Sequence, residues 1–249
     1  MTYCVAMALD QGLVFASDSR TNAGVDHIST YRKMRIWRRD GERVLVLMSA
    51  GNLAITQAVV AVLDQHIRSE NPHRSMLVVD SLYDCASLVG QAVREIHQRD
   101  AKPLKENGVD FNVSLILGGQ IKGEAPRLFM VYAAGNFIEA TPETPYFQIG
   151  ETKYGKPIID RVINTRTDLT QAAKCALLSL DSTIRSNVTV GLPIDLLIYE
   201  RDSFAVDNHH VIHDHDPYFE DIRTRWGQGL NNLFQVIPDP PWAINKRGG

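Results

Sequence analysis

The chain has 249 residues, of which 44% are hydrophobic and 22% charged, and its formal net charge is −3. This suits one soluble domain with a full core, or a domain with an appended tail, and the near-neutral balance excludes the electrostatic footprint of a nucleic-acid or anionic-membrane binder. No apolar stretch is long enough to span a bilayer, and the N-terminus lacks the basic-then-apolar order of a secretory signal, so a cytoplasmic protein is expected. Cys4, Cys85 and Cys175 are scattered and odd in number, which fits reduced, buried thiols better than a disulfide framework.

Apolar runs at residues 3–9 and 13–17, separated by Asp10-Gln11-Gly12, predict a first hairpin. A second reads across 34–38 and 43–49 with its turn at Asp40-Gly41. The period then changes. Leu53, Val60, Leu63 and Ile67 mark one face of a helix that Asn52 is placed to cap. Leu82, Cys85, Leu88, Val89, Ala92, Val93 and Ile96 mark a longer one, capped by Asp80 or Ser81. Strands are expected again at 111–117, 127–133, 137–140 and 146–149, followed by helices at about 153–164 and 168–184. A strand at 193–200, a short one near 209–213, a helix at about 217–233 and an irregular tail through Pro240-Pro241-Trp242 complete the order. Strands in hairpin-joined blocks, alternating with pairs of helices, argue for an α+β fold with antiparallel sheets and outer helix layers. A four-layer α-β-β-α sandwich fits. The expected organisation is one domain over 1–249 with a C-terminal extension at about 214–249.

Thr2 follows the start methionine. Once Met1 is trimmed, one residue carries both a nucleophilic hydroxyl and a base, because the freed α-amine titrates near working pH. The residues from Phe15 to Gly24 (Phe-Ala-Ser-Asp-Ser-Arg-Thr-Asn-Ala-Gly), then Arg32-Lys33-Met34 and Ser49-Ala50-Gly51-Asn52, complete a pattern with Thr2. That pattern resembles proteasome β-subunits and the bacterial proteasome-related peptidases. The Met-Thr-Tyr-Cys opening, the length and the extended C-terminal part are most similar to the Anbu group. The motifs concentrate in the first 55 or so residues.

The resemblance implies an N-terminal-nucleophile (Ntn) hydrolase fold and a threonine endopeptidase. Thr2 would be the nucleophile, Lys33 an ammonium beneath it that favours the neutral amine, and Asp18 the partner that orients Lys33. Gly51 would supply the oxyanion-binding N–H, a position where a side chain would obstruct the substrate carbonyl. Ser19 and Arg20 would support the Asp18 loop. Ser49, Thr21 and Asn22 would contact substrate, and the small Ser49 implies no strong preference for a large or charged side chain. The family also implies a homo-oligomer, a ring or an open spiral, that acts on peptide or protein. No cofactor is implied.

The chain departs from the family pattern in two ways. The stretch from Asp18 to Lys33 is one residue shorter than in many β-subunits. The later segments that normally hydrogen-bond the α-amine align with Gly150-Glu151-Thr152 and with Asn187 to Leu192. The histidines at 209, 210, 213 and 215 sit among aspartates but match no metal-ligand spacing, so no metal is assigned. No Gly-x-x-x-x-Gly-Lys segment occurs, so any ATP-driven unfolding would come from a separate partner chain. Tyr218, Trp226 and Trp242 read as packing anchors of the extension. Two other readings use the same residues: an Ntn amidohydrolase or amide-forming enzyme on one peptide-like substrate, and a catalytically silent assembly subunit.

Overall fold

The computed structural model describes residues 2–22, 28–69 and 72–242. Met1 and the Ala23-Gly24 end of the N-terminal motif lie outside them, as do residues 243–249. In chain order the strands open with β1 (Tyr3–Leu9), β2 (Gly12–Asp18), β3 (Arg20–Asn22), β4 (Ile28–Thr30), β5 (Met34–Arg39) and β6 (Arg43–Gly51). Helices α1 (Leu53–Arg68) and α2 (Leu82–Glu106) follow. Then come β7 (Val113–Ile121), β8 (Arg127–Val131), β9 (Phe137–Glu139) and β10 (Tyr146–Gly150). Helices α3 (Lys156–Val162) and α4 (Leu169–Ser186), strands β11 (Ile194–Glu200) and β12 (His209–Ile212), and helix α5 (Pro217–Val236) complete the order. None of the helices is long and apolar enough to cross a membrane.

One five-stranded sheet runs β10-β1-β2-β11-β12 and a second runs β5-β6-β7-β8-β9, with antiparallel pairing throughout. Strand β6 shows why its sequence is apolar at nearly every position. Successive side chains point to opposite faces. Leu45 and Leu47 join Val59 and Leu63 of α1 and Leu82, Val89 and Val93 of α2 in one core. Val44, Val46 and Met48 turn the other way and meet Cys4, Ala6, Leu13 and Phe15 of the first sheet in a second core. Helix α4 covers the far side of the first sheet against β1, β2 and β11, with Tyr3 Oη and Ser179 Oγ 2.6 Å apart between them. The result is the α-β-β-α sandwich expected from the sequence.

The helix starts follow from local chemistry. Asn52, Ser81 and Asp168 each accept a backbone N–H of the first turn of α1, α2 and α4, which satisfies donors a helix otherwise leaves orphaned. Helix α2 runs ten residues past Ile96, through Pro103, where the apolar periodicity gives no signal. The expected helix at 153–164 shortens to seven residues. The ribbon β3–β4 has three polar-rich residues per strand and no periodicity to announce it.

The chain divides into two compact units, one ending at Asp214 and the other beginning at His215. In the second, α5 starts at Pro217 with Asp216 as its cap, its carboxylate accepting the Phe219 N–H at 2.8 Å. Leu230, Leu233, Phe234 and Val236 of α5 are exposed, as are Ile237 and Trp242 beyond it. Trp242 and Tyr218, read from sequence as packing anchors, are both exposed.

Candidate active site

The centre of the site is a buried ion pair. Asp18 ends β2 and is fully buried, and Lys33, just ahead of β5, reaches it with Nζ 2.6 Å from Oδ1. Lys33 is itself only 6% exposed and also donates to the Arg20 carbonyl at 2.8 Å. The Tyr3 N–H donates to Asp18 Oδ1 at 3.0 Å and the Gly191 N–H to Oδ2 at 3.3 Å. Burial pushes the Asp18 carboxyl up from its ordinary value, while the Lys33 ammonium and the two backbone donors pull it down. A lysine with a buried carboxylate and a backbone carbonyl as partners is held in place as a fixed charge, not a solvated one.

Thr2 stands at the start of β1, half-buried, beside this pair. Its carbonyl accepts the Glu151 N–H at 2.7 Å. Gly150 makes that approach possible: its φ is +85°, and a Cβ there would lie 2.7 Å from the Thr2 carbonyl carbon. On the other side, β6 ends at Gly51 with φ +116°. Asn52 follows, its N–H donating to the Asn112 carbonyl at 2.9 Å and its side chain capping α1. The positive end of that helix therefore faces the space beside Thr2.

Thr2 and Gly51 line two clefts. The first, about 240 Å³, continues past Lys33, Arg20, Thr21 and Ser49. The second, about 350 Å³, runs past Gly150, Asn112 and Ser114. Ser49 is 7% exposed and also borders a third recess of about 390 Å³ with Arg35 and His209. Thr2, Lys33, Gly51, Ser49 and Thr21 are thus brought to one cleft, with Asp18 beneath it. Asn22 lies in β3. A hydroxyl, a buried ammonium and a backbone N–H at one cleft are suited to nucleophilic acyl transfer.

Sequence reasoning assigned no role to Glu151. It is 7% exposed, and its Oε2 accepts the Asn187 Nδ2–H at 2.9 Å. Arg20 donates to the Val188 carbonyl at 2.7 Å and so ties β3 to this same segment. The sequence signal for it was the departure from the family pattern at 150–152 and 187–192.

The histidine stretch divides. His209 Nε2 lies 3.3 Å from Asp195 Oδ1, a buried carboxylate of β11, and His215 pairs with Glu220 near the start of α5. Among the described residues no group of three or more His, Cys, Asp or Glu side chains is arranged to hold a metal ion.

Comparison with known proteins matches residues 2–198 to the proteasome subunit family. Comparison with curated proteins gives no match. Among solved structures, the chain is similar to Anbu (ancestral beta-subunit) from Yersinia bercovieri, at 53% identity and TM-score 0.91, covering 97% of this chain and 100% of that one. It is similar to the chain in the helical assembly of the Anbu complex from Pseudomonas aeruginosa, at 51% identity and TM-score 0.92, covering 98% and 100%. Anbu from Hyphomicrobium sp. strain MC1 matches at 50% identity and TM-score 0.88, covering 96% and 100%. With the Ntn-type sandwich, full-length likeness at this identity and a family match over most of its length, this chain belongs to the proteasome subunit family, in its Anbu group.

Proposed function

We propose that this protein is a proteasome-type threonine peptidase, an N-terminal-nucleophile hydrolase that acts after Met1 is removed. Met1 lies outside the described residues, so its removal is part of the proposal. What supports the reading most is the convergence of Thr2, Lys33 and Gly51 on one cleft above buried Asp18.

In the proposed reaction Thr2 Oγ forms a bond to the scissile carbonyl carbon while its proton passes to the Thr2 α-amine. Lys33, a fixed cation nearby, disfavours a second positive charge and keeps the resting amine neutral. The Gly51 N–H stabilises the oxyanion of the tetrahedral intermediate. Collapse breaks the C–N bond, and the leaving amine takes the proton from the α-ammonium. Water then adds to the ester carbonyl carbon as its proton passes to the same α-amine, and collapse breaks the bond from Oγ to that carbon, Thr2 Oγ taking the proton back as the acid leaves. Ser49 and Thr21 line the cleft that receives the substrate.

A relative from Pseudomonas aeruginosa forms a helical assembly, and by that likeness we propose self-assembly into a ring or open spiral. The exposed apolar residues of α5 and the segment after it would then help set the contacts. The proposed setting is the cytoplasm.

The test is intact mass of the purified protein before and after an epoxyketone, which needs both a threonine hydroxyl and a free α-amine. Loss of Met1 with one adduct at Thr2 is expected, followed by turnover of peptide substrates. An adduct without turnover of any general peptide would move the assignment to an amidohydrolase or amide-forming enzyme with one specific substrate. A trimmed chain with unreactive Thr2 would make it a silent assembly subunit.

A further inference from the structure

Ser17 Oγ, both carboxylate oxygens of Asp195 and His209 Nε2 are all enclosed, and among the described residues none has a hydrogen-bond partner. Strand pairing brings these groups together. Asp195 pairs with Ser17 of β2 on one side and Val211 of β12 on the other, and His209 pairs with Leu197. Paired residues share a face, and so do residues two apart on one strand. Ser17, Asp195 and His209 therefore face the layer between the two sheets, as does Leu197, which packs in the second core. His209 lies diagonal to Asp195, within reach of a long side chain, and its Nε2 stands 3.3 Å from Oδ1, an ion-pair distance. Asp195 itself is 1% exposed.

An anionic carboxylate at that depth is costly unless a cation stands beside it. The neighbouring cations are committed elsewhere. Lys33 is held by Asp18 and the Arg20 carbonyl. Arg35 Nη2 donates to Asp64 Oδ2 at 3.1 Å, and Trp37 Nε1 donates to the other oxygen of that carboxylate at 2.7 Å. Arg32, which borders the same recess as His209 together with Tyr31, Lys33, Arg35 and Asp64, is exposed to solvent. From β1 the Cys4 thiol feels Lys33, Asp18 and Asp195 together, and burial keeps it neutral. His210, the next residue of β12, pairs with Leu196 and faces the opposite side of the sheet. Among the described residues, His209 is thus the one cation placed to serve Asp195.

We propose that His209 and Asp195 form a pH-operated clasp on β12, closed while His209 carries a proton and released when it does not. Histidine is the side chain that changes charge within about pH 5–8. On the acid side of that range the imidazolium completes the pair. On the alkaline side the cation is gone, and the buried carboxylate is left to draw water into the layer between the sheets. The element that yields is β12, an edge strand of four residues whose one strand partner is β11. The recess that His209 borders shares Tyr31, Lys33 and Ser49 with the first cleft at Thr2, so release loosens a wall next to that cleft. The clasp goes beyond the peptidase reading and does not depend on it.

The test is hydrogen exchange of the full chain at about pH 6 and about pH 8. It is read by mass on peptides covering β12 and corrected for intrinsic rates, with β7 of the other sheet as reference. Wild-type β12 should lose protection at least about tenfold at the higher pH while β7 holds. Asp195→Asn keeps the shape and removes the buried charge, so β12 should be equally protected at both pH values. His209→Gln should show the weakened state at both. If that variant fails to fold, the double variant Asp195→Asn with His209→Gln, which removes both charges, should fold and show no pH response. His210→Gln, on the other face of the same strand, should behave as wild type. Equal protection of wild-type β12 at the two pH values, or a response in Asp195→Asn as large as in wild type, would overturn the clasp and leave the reading of Thr2 untouched.

Discussion

Replacing Gly51 by alanine tests whether the backbone at the end of β6 is as tightly constrained as its surroundings indicate. Two costs combine. With φ at +116°, any side chain is strained there, by about 2 kcal/mol. The added Cβ would also lie 2.9 Å from the Asn112 carbonyl carbon and 3.0 Å from Val113 Cα, and closer still to the Asn112 oxygen. Carbon–carbon contacts settle near about 3.5 Å, so the deficit is about half an ångström. All of these atoms are backbone, at the start of a strand that pairs with β6 along its whole length, and none can rotate away. Relieving the clash pushes Gly51 off β7 and loosens the 2.9 Å bond from Asn52 N–H to the Asn112 carbonyl, a further cost of about 1–3 kcal/mol. The sum is about 4 kcal/mol. Gly41 is the matched control: its φ is +70°, and a Cβ there meets nothing within 4 Å, so Gly41→Ala should cost about 1–2 kcal/mol. Urea unfolding of both variants, with equal m values, measures the difference directly. Epoxyketone labelling of Gly51→Ala should fall as well, because the N–H proposed for the oxyanion moves with the strand end. If Gly51→Ala loses no more stability than Gly41→Ala, the argument from close approach is wrong.

Three further outcomes are expected. Burial holds the Asp18 carboxyl above the ordinary carboxylate range, so the folded chain binds this proton more tightly than the unfolded one. The site's contribution to stability is then present in acid and is lost as pH rises from about 4 through the raised value. Asp18→Asn removes that titration and should flatten the stability–pH curve across this window; a slope equal to wild type would refute it. Lys33→Met removes the cation that pulls the same carboxyl down, so the fall should extend to higher pH, while Thr2 labelling at neutral pH should drop at least about 100-fold; retained labelling would dismiss Lys33 from the site. Burial pushes the Cys4 thiol up strongly, Cys85 to about 12 and Cys175 to about 11. Native protein at pH 8 should therefore resist Ellman's reagent and titrate its three thiols only on unfolding; rapid native reaction would contradict the buried placement.

What the sequence made legible follows the strength of the physical signal. Hairpins and helix faces could be read because burial imposes a period of 2 or 3.6, and because Asn52 and Ser81 are good caps at their positions. Strand β6 could be read as a strand but not as one buried on both faces, since Leu45 and Val46 look alike until the two cores are seen. The β3–β4 ribbon could not be read at all. Its Arg20-Thr21-Asn22 segment carries no apolar pattern, and it is fixed instead by long-range bonds, such as the one from Arg20 to the Val188 carbonyl at 2.7 Å. The candidate site divides in the same way. Thr2, Asp18, Lys33 and Gly51 lie within 50 residues and form a recognisable spacing, whereas Glu151 meets Thr2 through a single long-range backbone bond and Asn187 joins only through Glu151.

That division bears on how the site is built. Asp18 and Gly51 end strands in different sheets, and Thr2 is held between them by contacts from segments far along the chain. Gly150 allows β10 to close on the Thr2 carbonyl, and the Gly191 N–H reaches back to Asp18 Oδ2 at 3.3 Å. The ion pair therefore has donors from both halves of the chain. The 187–191 segment serves three groups at once: its Asn187 anchors Glu151, its Val188 carbonyl holds Arg20, and its Gly191 supports Asp18. A change in that short loop therefore reaches Glu151, Arg20 and Asp18 together.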